Sequence, residues 1–177
     1  MALFHFVTDV DVDAPPEQLW NVLANPSTWP GWWRWLRRVD EVDPGREDGT
    51  GARYRMVFGT ALPFTLTVES ETVHVVRPSI WESRATGDLV GTGLWELSTR
   101  NGGSHVRYTW IVAPARRWQN LLAPMARPAF SWNHGVLMRD FAAGFAGAAG
   151  ARLLSVENRT IKPGAPGFGR LPGSTVS

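Results

Sequence analysis

From about residue 38 to residue 113 the chain reads as six strands in a row, at about 38–43, 52–58, 64–76, 79–87, 89–99 and 104–113, separated only by DPGREDGTG, TALP, RP, GD and RNGG. Breaks this short make hairpins, hence antiparallel neighbours, since a parallel pair needs a crossover of about a dozen residues or more. From about Arg116 the pattern changes. Trp118, Leu121, Leu122 and Met125, then Phe130, His134, Leu137, Phe141 and Phe145, recur at three- and four-residue spacing, which predicts one long helix. Pro124 and Pro128 are expected to kink it or to split off its first turns. A lone amphipathic helix after an antiparallel sheet needs an apolar face to lie on, so the sheet must curl around it. Alternation supplies that face through Tyr54, Met56 and Phe58, Phe64, Leu66 and Val68, Trp81, Ser83 and Ala85, Trp95 and Leu97, and Val106, Tyr108, Trp110 and Val112. The opposite phase, with Arg53, Arg55, Glu82, Arg84, Glu96 and Arg107, is a solvated surface.

Upstream, FHFVTDVDVD at 4–13 alternates as a half-buried strand with Phe4, Phe6, Thr8, Val10 and Val12 on one face. Pro15, Pro16 and Glu17 suit the first turn of a helix, where a missing N–H costs nothing and an acid meets the positive end of the dipole. That helix runs to about Leu23 and buries Leu19, Trp20 and Leu23. Asn25-Pro26-Ser27 is a turn, with Ser27 as the expected cap of a second short helix that carries WPGWWRWL at 29–36. Four of the ten tryptophans lie in this stretch. An exposed platform would stack on bases or sugars. The reading favoured is a lid, with Trp29, Trp32 and Trp33 packed on the sheet and Arg34, Arg37 and Arg38 in water, because tryptophan is mostly buried.

The order strand, two short helices, six strands and long helix, with DAPPEQLWNVLANPSTWPGWWRWLRRVDEV at 13–42, GDLVGTGLWELSTRNGGSHVRYTWIV at 87–112 and the Trp-bearing final helix, resembles the START-related helix-grip superfamily. That superfamily includes polyketide cyclases/dehydrases, lipid-transfer proteins and the birch-pollen allergen. The resemblance implies an α+β fold in which a curved seven-stranded antiparallel sheet grips a long C-terminal helix, two short helices close one end, and an elongated cavity lies between. The resemblance covers roughly residues 4–154, which gives a domain over 1–155, and the Gly- and Pro-rich composition of 156–177, without a core pattern, predicts a flexible tail. The resemblance also implies a hydrophobic small-molecule ligand, lipid or aromatic and polyketide-like. No invariant catalytic motif comes with it.

The expected lining is Trp33, Tyr54, Met56, Phe64, Leu66, Trp81, Ser83, Trp95, Tyr108, Trp110, Phe130, His134, Leu137, Met138 and Phe141, with a Tyr hydroxyl and Ser83 as orienting groups. Core packing is the competing reading of every ring among them. His134, on the apolar face of the final helix, is either a satisfied core residue or a general acid/base aided by Tyr108, if the two come within hydrogen-bond reach. Asn133 points elsewhere on the helix. Two functions follow: a cofactor-free carrier or sensor, and a polyketide cyclase/aromatase/dehydrase-type enzyme that holds a poly-β-keto chain while polar groups move protons. A third, an interaction module using the Trp-rich helix, trails both.

Several classes are excluded. Asp9, Asp11 and Asp13 open a calcium-loop pattern that fails at Ala14, where Gly is needed, and at Trp20, where a bidentate Glu is needed. With no cysteine, four scattered histidines and no HExxH, no metal site is supported. GFAGAAG at 144–150 and GAPGFG at 164–169 do not sit between a strand and a helix, and neither GxxxxGK nor GxSxG occurs. The net charge of +2 comes from 18 bases, all Arg except Lys162, against 16 acids, so the pI of about 9.7 exaggerates the basicity and no nucleic-acid partner is expected. RRWQNLLAPMARPAFSW at 116–132 has an interfacial composition, so transient membrane contact is an alternative to its reading as the start of the gripping helix, and stable insertion is not expected. A cytoplasmic monomer or homodimer without cofactor is the resulting expectation.

Overall fold

The computed structural model describes residues 3–115 and 117–172, and for 117–126 the backbone alone. Expectations for the side chains of Trp118, Leu121, Leu122 and Met125, and most of the interfacial stretch at 116–132, lie outside the described residues. The elements are β1 (Phe4–Val12), α1 (Pro16–Leu23), a 3-10 helix (Pro26–Gly31), β2 (Leu36–Asp43), β3 (Arg53–Gly59), β4 (Thr65–Val76), β5 (Ile80–Gly87), β6 (Leu89–Arg100), β7 (Gly103–Pro114), α2 (Arg117–Ala148) and β8 (Leu153–Ile161). The six central strands fall within a few residues of their expected places. Their hairpins give one sheet of order β2-β3-β4-β5-β6-β7-β1-β8, antiparallel at every pairing.

The eighth strand corrects the seven-stranded expectation. Leu153–Ile161 pairs with β1 from Val12↔Leu153 to His5↔Ile161, running from the end of the expected domain into the first six residues of the segment expected to be a flexible tail. LLSVENRTI shows no apolar alternation, because an edge strand needs little more than backbone pairing and one covered face. Beyond it, three turns follow in sequence, closed by Ala165 N–H to Lys162 O, Phe168 N–H to Ala165 O and Arg170 N–H to Gly167 O. Gly164, Gly167 and Gly169 have φ of +86°, +76° and +74°, which is why GAPGFG is glycine-rich without being a phosphate loop. This segment crosses the outer face of the sheet, so β1 is covered on both sides and even outward His5 and Val7 are buried.

The helix α2 runs unbroken through Pro124 and Pro128, so neither proline splits off its first turns. Its Met138, Phe141, Ala142, Phe145 and Ala146 enter one core with Leu19, Trp20, Leu23, Trp29, Trp33, Leu36, Trp95 and Val106. Pro16 takes the first position of α1 as expected, and Leu19, Trp20 and Leu23 are buried. The tryptophan stretch is not a continuous second helix. Pro26 and Pro30 remove two donors, leaving a 3-10 turn that ends where Trp29 O accepts from both Trp32 and Trp33 N–H, and β2 begins at Leu36. Ser27 caps nothing, since Asn25 takes the capping position and no side chain there bonds the backbone N–H groups.

Candidate functional site

The inner face of the sheet, where α2 lies, has two ends of different character. At the lid end, Trp29 is 4% exposed and Trp33 is 5% exposed. Trp29 packs against Trp81 and Trp95, Trp33 sits edge-on to Phe58 and Phe141, and Trp32 covers Phe141 and Phe145. Trp33 Nε1 donates to Leu137 O at 3.0 Å and Trp81 Nε1 donates to Thr72 Oγ1 at 3.0 Å. Gly144 permits the close approach of the lid to α2, because a Cβ there would lie 2.0 Å from Trp32 O. The exposed-platform reading of these tryptophans is therefore overturned: the rings are spent on one another, while Arg34, Arg37 and Arg38 face water.

The other end is built from β1, β7, β5 and the middle of α2. Trp95 and Tyr108, cross-strand partners, stack at 3.9 Å between centroids. Tyr108 continues to Trp110 at 6.3 Å, and Trp110 to His134 at 5.8 Å. His134 lies flat on Phe6 at 4.2 Å, and its Nε2 is 3.4 Å from Thr8 Oγ1. Thr8 donates its own hydroxyl proton to Asn158 Oδ1 at 2.7 Å, so His134 must donate through Nε2–H, which leaves Nδ1 as a lone pair. Burial lowers the His134 pKa to about 3, so the ring is neutral at physiological pH. Burial raises the Tyr108 pKa well above that of a free phenol, so its hydroxyl stays protonated.

The Tyr108 hydroxyl has no hydrogen-bond partner among the described residues, and neither has Ser83 Oγ. Gly93 brings the two around one point: a Cβ there would lie 2.9 Å from Tyr108 Oη and 3.3 Å from Ser83 Oγ. Tyr54, Phe58, Leu66, Ser83, Tyr108 and Trp110 all face inward yet keep part of their surface exposed. Phe64 is 37% exposed and meets Phe130 edge-on at 6.3 Å, where the loop between β3 and β4 approaches α2.

The sequence model of the "polyketide cyclase / dehydrase and lipid transport" family matches residues 4–149. The chain belongs to that family. Among solved structures it resembles the ZhuI aromatase/cyclase from Streptomyces sp. R1128, with 18% identity, a TM-score of 0.69, and coverage of 84% of this chain and 94% of that one. It also resembles the di-domain aromatase/cyclase BexL of the BE-7585A biosynthetic pathway, with 21% identity, a TM-score of 0.65, and coverage of 85% of this chain and 51% of that one. Ara h 8.0201 matches at 11% identity and a TM-score of 0.54, over 84% of this chain and 98% of that one. These likenesses establish the helix-grip fold. A search of curated protein sequences finds no match.

Within this family frame the expected lining divides. Trp33, Met56, Trp81, Trp95, Leu137, Met138 and Phe141 are buried in the core, whereas Tyr54, Phe64, Leu66, Ser83, Tyr108, Trp110 and Phe130 retain exposure and His134 forms a wall between them. No hydrogen bond joins His134 to Tyr108; the Trp110 ring contacts both. Asn133, set aside in the sequence, is 6% exposed and its Oδ1 accepts from Ala61 N–H at 2.8 Å, fixing the β3–β4 loop to α2. Thr60 holds the same loop from within: its single hydroxyl proton is shared between Leu62 O and Phe64 O, and its Oγ1 accepts from Leu62 N–H. Gly93 and Asn158 were also missed; only an inward glycine opposite Ser83 hinted at the first.

Among the described residues no helix is long and apolar enough to cross a membrane.

Proposed function

We propose that the protein binds a flat, largely apolar molecule of aromatic or polyketide type between the sheet and α2, against the Tyr108–Trp110–His134 wall. The observation that carries this reading is the unpartnered Tyr108 hydroxyl, held protonated among aromatic rings. A hydroxyl in such a place is costly unless something accepts from it, and a ligand carbonyl is a suitable acceptor. Ser83 would supply a second donor around Gly93, and the rings would supply most of the contact area. The β3–β4 loop, pinned by Asn133 and carrying Phe64, would border the way in.

Binding is favoured over catalysis because His134 is poorly matched to acid/base work: a group with a pKa of about 3 is a weak base near neutrality. A second reading is cyclase-type chemistry in which Tyr108 polarises a carbonyl by donating a hydrogen bond while the walls hold the chain folded. The test is native mass spectrometry of protein purified from its source, followed by titration of the emptied protein with an anthraquinone, read by tryptophan fluorescence. Co-purifying aromatic ligand, with weaker binding by Tyr108→Phe, supports the proposal. Protein that is always empty and an anthraquinone that leaves the fluorescence unchanged would sink it.

A further inference from the structure

The outer face of the sheet carries a hollow that the proposed interior site does not use. It is a shallow space of about 420 Å³ beneath the turns of residues 162–172. Its floor is formed by β1, β7 and β8 and its roof by Pro166, Gly167, Arg170, Leu171 and Pro172. The size falls in the range of small-molecule sites, roughly 300–1,000 Å³. Three arginines line it, Arg107, Arg159 and Arg170.

The side-chain polar atoms left over there are donors. Arg107 and Arg159 each use part of a guanidinium on Asp9, through Arg107 Nε and an Arg159 terminal nitrogen, and their remaining N–H groups have no partner among the described residues. Burial pushes the Asp9 carboxyl up, but the two arginines outweigh it and hold it below the usual carboxylate range, so Asp9 stays ionised and is shared by two of the three arginines that line the hollow. Arg170 makes no ion pair among the described residues. His5, 6% exposed, accepts from Gly169 N–H through Nδ1 at 3.3 Å, and burial lowers its pKa, so the neutral ring carries its proton on Nε2. Thr109, 1% exposed on the floor, has a hydroxyl without a partner. Val7, Ile161, Leu171 and two prolines supply apolar walls.

We propose that this hollow is a second ligand site that takes a small organic acid, with its carboxylate against Arg159 and Arg170 and its ring or short alkyl body along Val7 and Ile161. Excess cationic donors select the anion, and the apolar walls select a carboxylate with a hydrophobic body over a bare inorganic ion. The inference does not depend on what the interior binds.

The test is titration of the full-length chain with 1-naphthoate, followed by calorimetry and by ¹H–¹⁵N NMR. Amide shifts should cluster at residues 5–7, 107–109 and 159–171. Arg170→Ala should weaken binding about tenfold, as expected for losing a charge-assisted contact, with Arg170→Lys in between. Tyr108→Phe should leave this affinity unchanged, which separates the site from the interior one. Shifts confined to Trp95, Tyr108 and Trp110 with none at 159–171, undiminished binding by Arg170→Ala and Arg170→Glu, or no binding at all would each overturn the proposal.

Discussion

The two ends of the inner face use the same residue types toward opposite ends. At the lid, Trp29, Trp32 and Trp35 each bury an indole N–H that finds no acceptor. At the Tyr108 end, the hydroxyls of Tyr108 and Ser83 also lack partners among the described residues, yet both residues keep part of their surface exposed. An orphaned donor that nothing can reach is only a penalty, outweighed at the lid by ring burial and edge-to-face contact. An orphaned donor that remains reachable is a binding group. The difference between stabilising wall and receptive wall lies in access, not in composition.

The comparison can be broken most severely at the lid. Trp33→Ala should cost about 3–5 kcal/mol in chemical denaturation, because it removes a buried ring wedged between Phe58 and Phe141 and the bond to Leu137 O. A loss under about 1 kcal/mol would show that the lid is not the dry end.

At the receptive end the large effect is on pH. The His134 pKa is lowered to about 3 from 6.5, so the unfolded chain takes up a proton that the folded one refuses. Stability should therefore be fully present above about pH 6.5 and fall toward pH 3, by up to about 1.4 kcal/mol per pH unit from this group. His134→Gln should flatten that slope in urea titrations; an unchanged slope would mean the ring is not buried as described.

A smaller effect sharpens the contrast between penalty and binding group. Tyr108→Phe should change folding stability by no more than about 0.5 kcal/mol, since the hydroxyl has no intramolecular partner, while weakening an anthraquinone about tenfold. Equal losses in both assays would place the hydroxyl in the structural class with the lid. A change of about the same size as the loss of ligand affinity is expected at the entrance. Asn133→Ala, which frees the Ala61 N–H, should lower stability by about 1 kcal/mol and speed ligand exchange, measured by stopped-flow fluorescence.

Legibility in the sequence follows the range of the forces involved. The six hairpin strands are local: alternation and turn residues specify them, and the structure puts them where those signals lie. The lid is legible because tryptophan is mostly buried and the neighbouring arginines offer a polar side, which favours a lid over an exposed platform. The Thr8–His134–Asn158 network was not, since its members come from β1, α2 and β8 and meet only through tertiary pairing. Strand β8 was hidden because its partner is β1, about 150 residues earlier, and its inward residues include Asn158, which bonds Thr8 instead of joining an apolar stripe. Glycine and proline at 162–172 suggest looseness in the sequence, whereas three of those glycines hold turn conformations that other residues would resist.

The place of β1 between β7 and β8 has a kinetic consequence. A chain emerging from the ribosome can form the β2–β7 hairpins from near neighbours, but Phe4–Val12, made first, has its partners at residues 104–112 and 153–161. The earliest strand must wait for the latest, so its docking carries the largest loop-closure cost and belongs to the slow part of folding. Until then its row of Phe4, Phe6, Val10 and Val12 is exposed hydrophobic edge, and a chain stalled at that point is the form most in need of a chaperone.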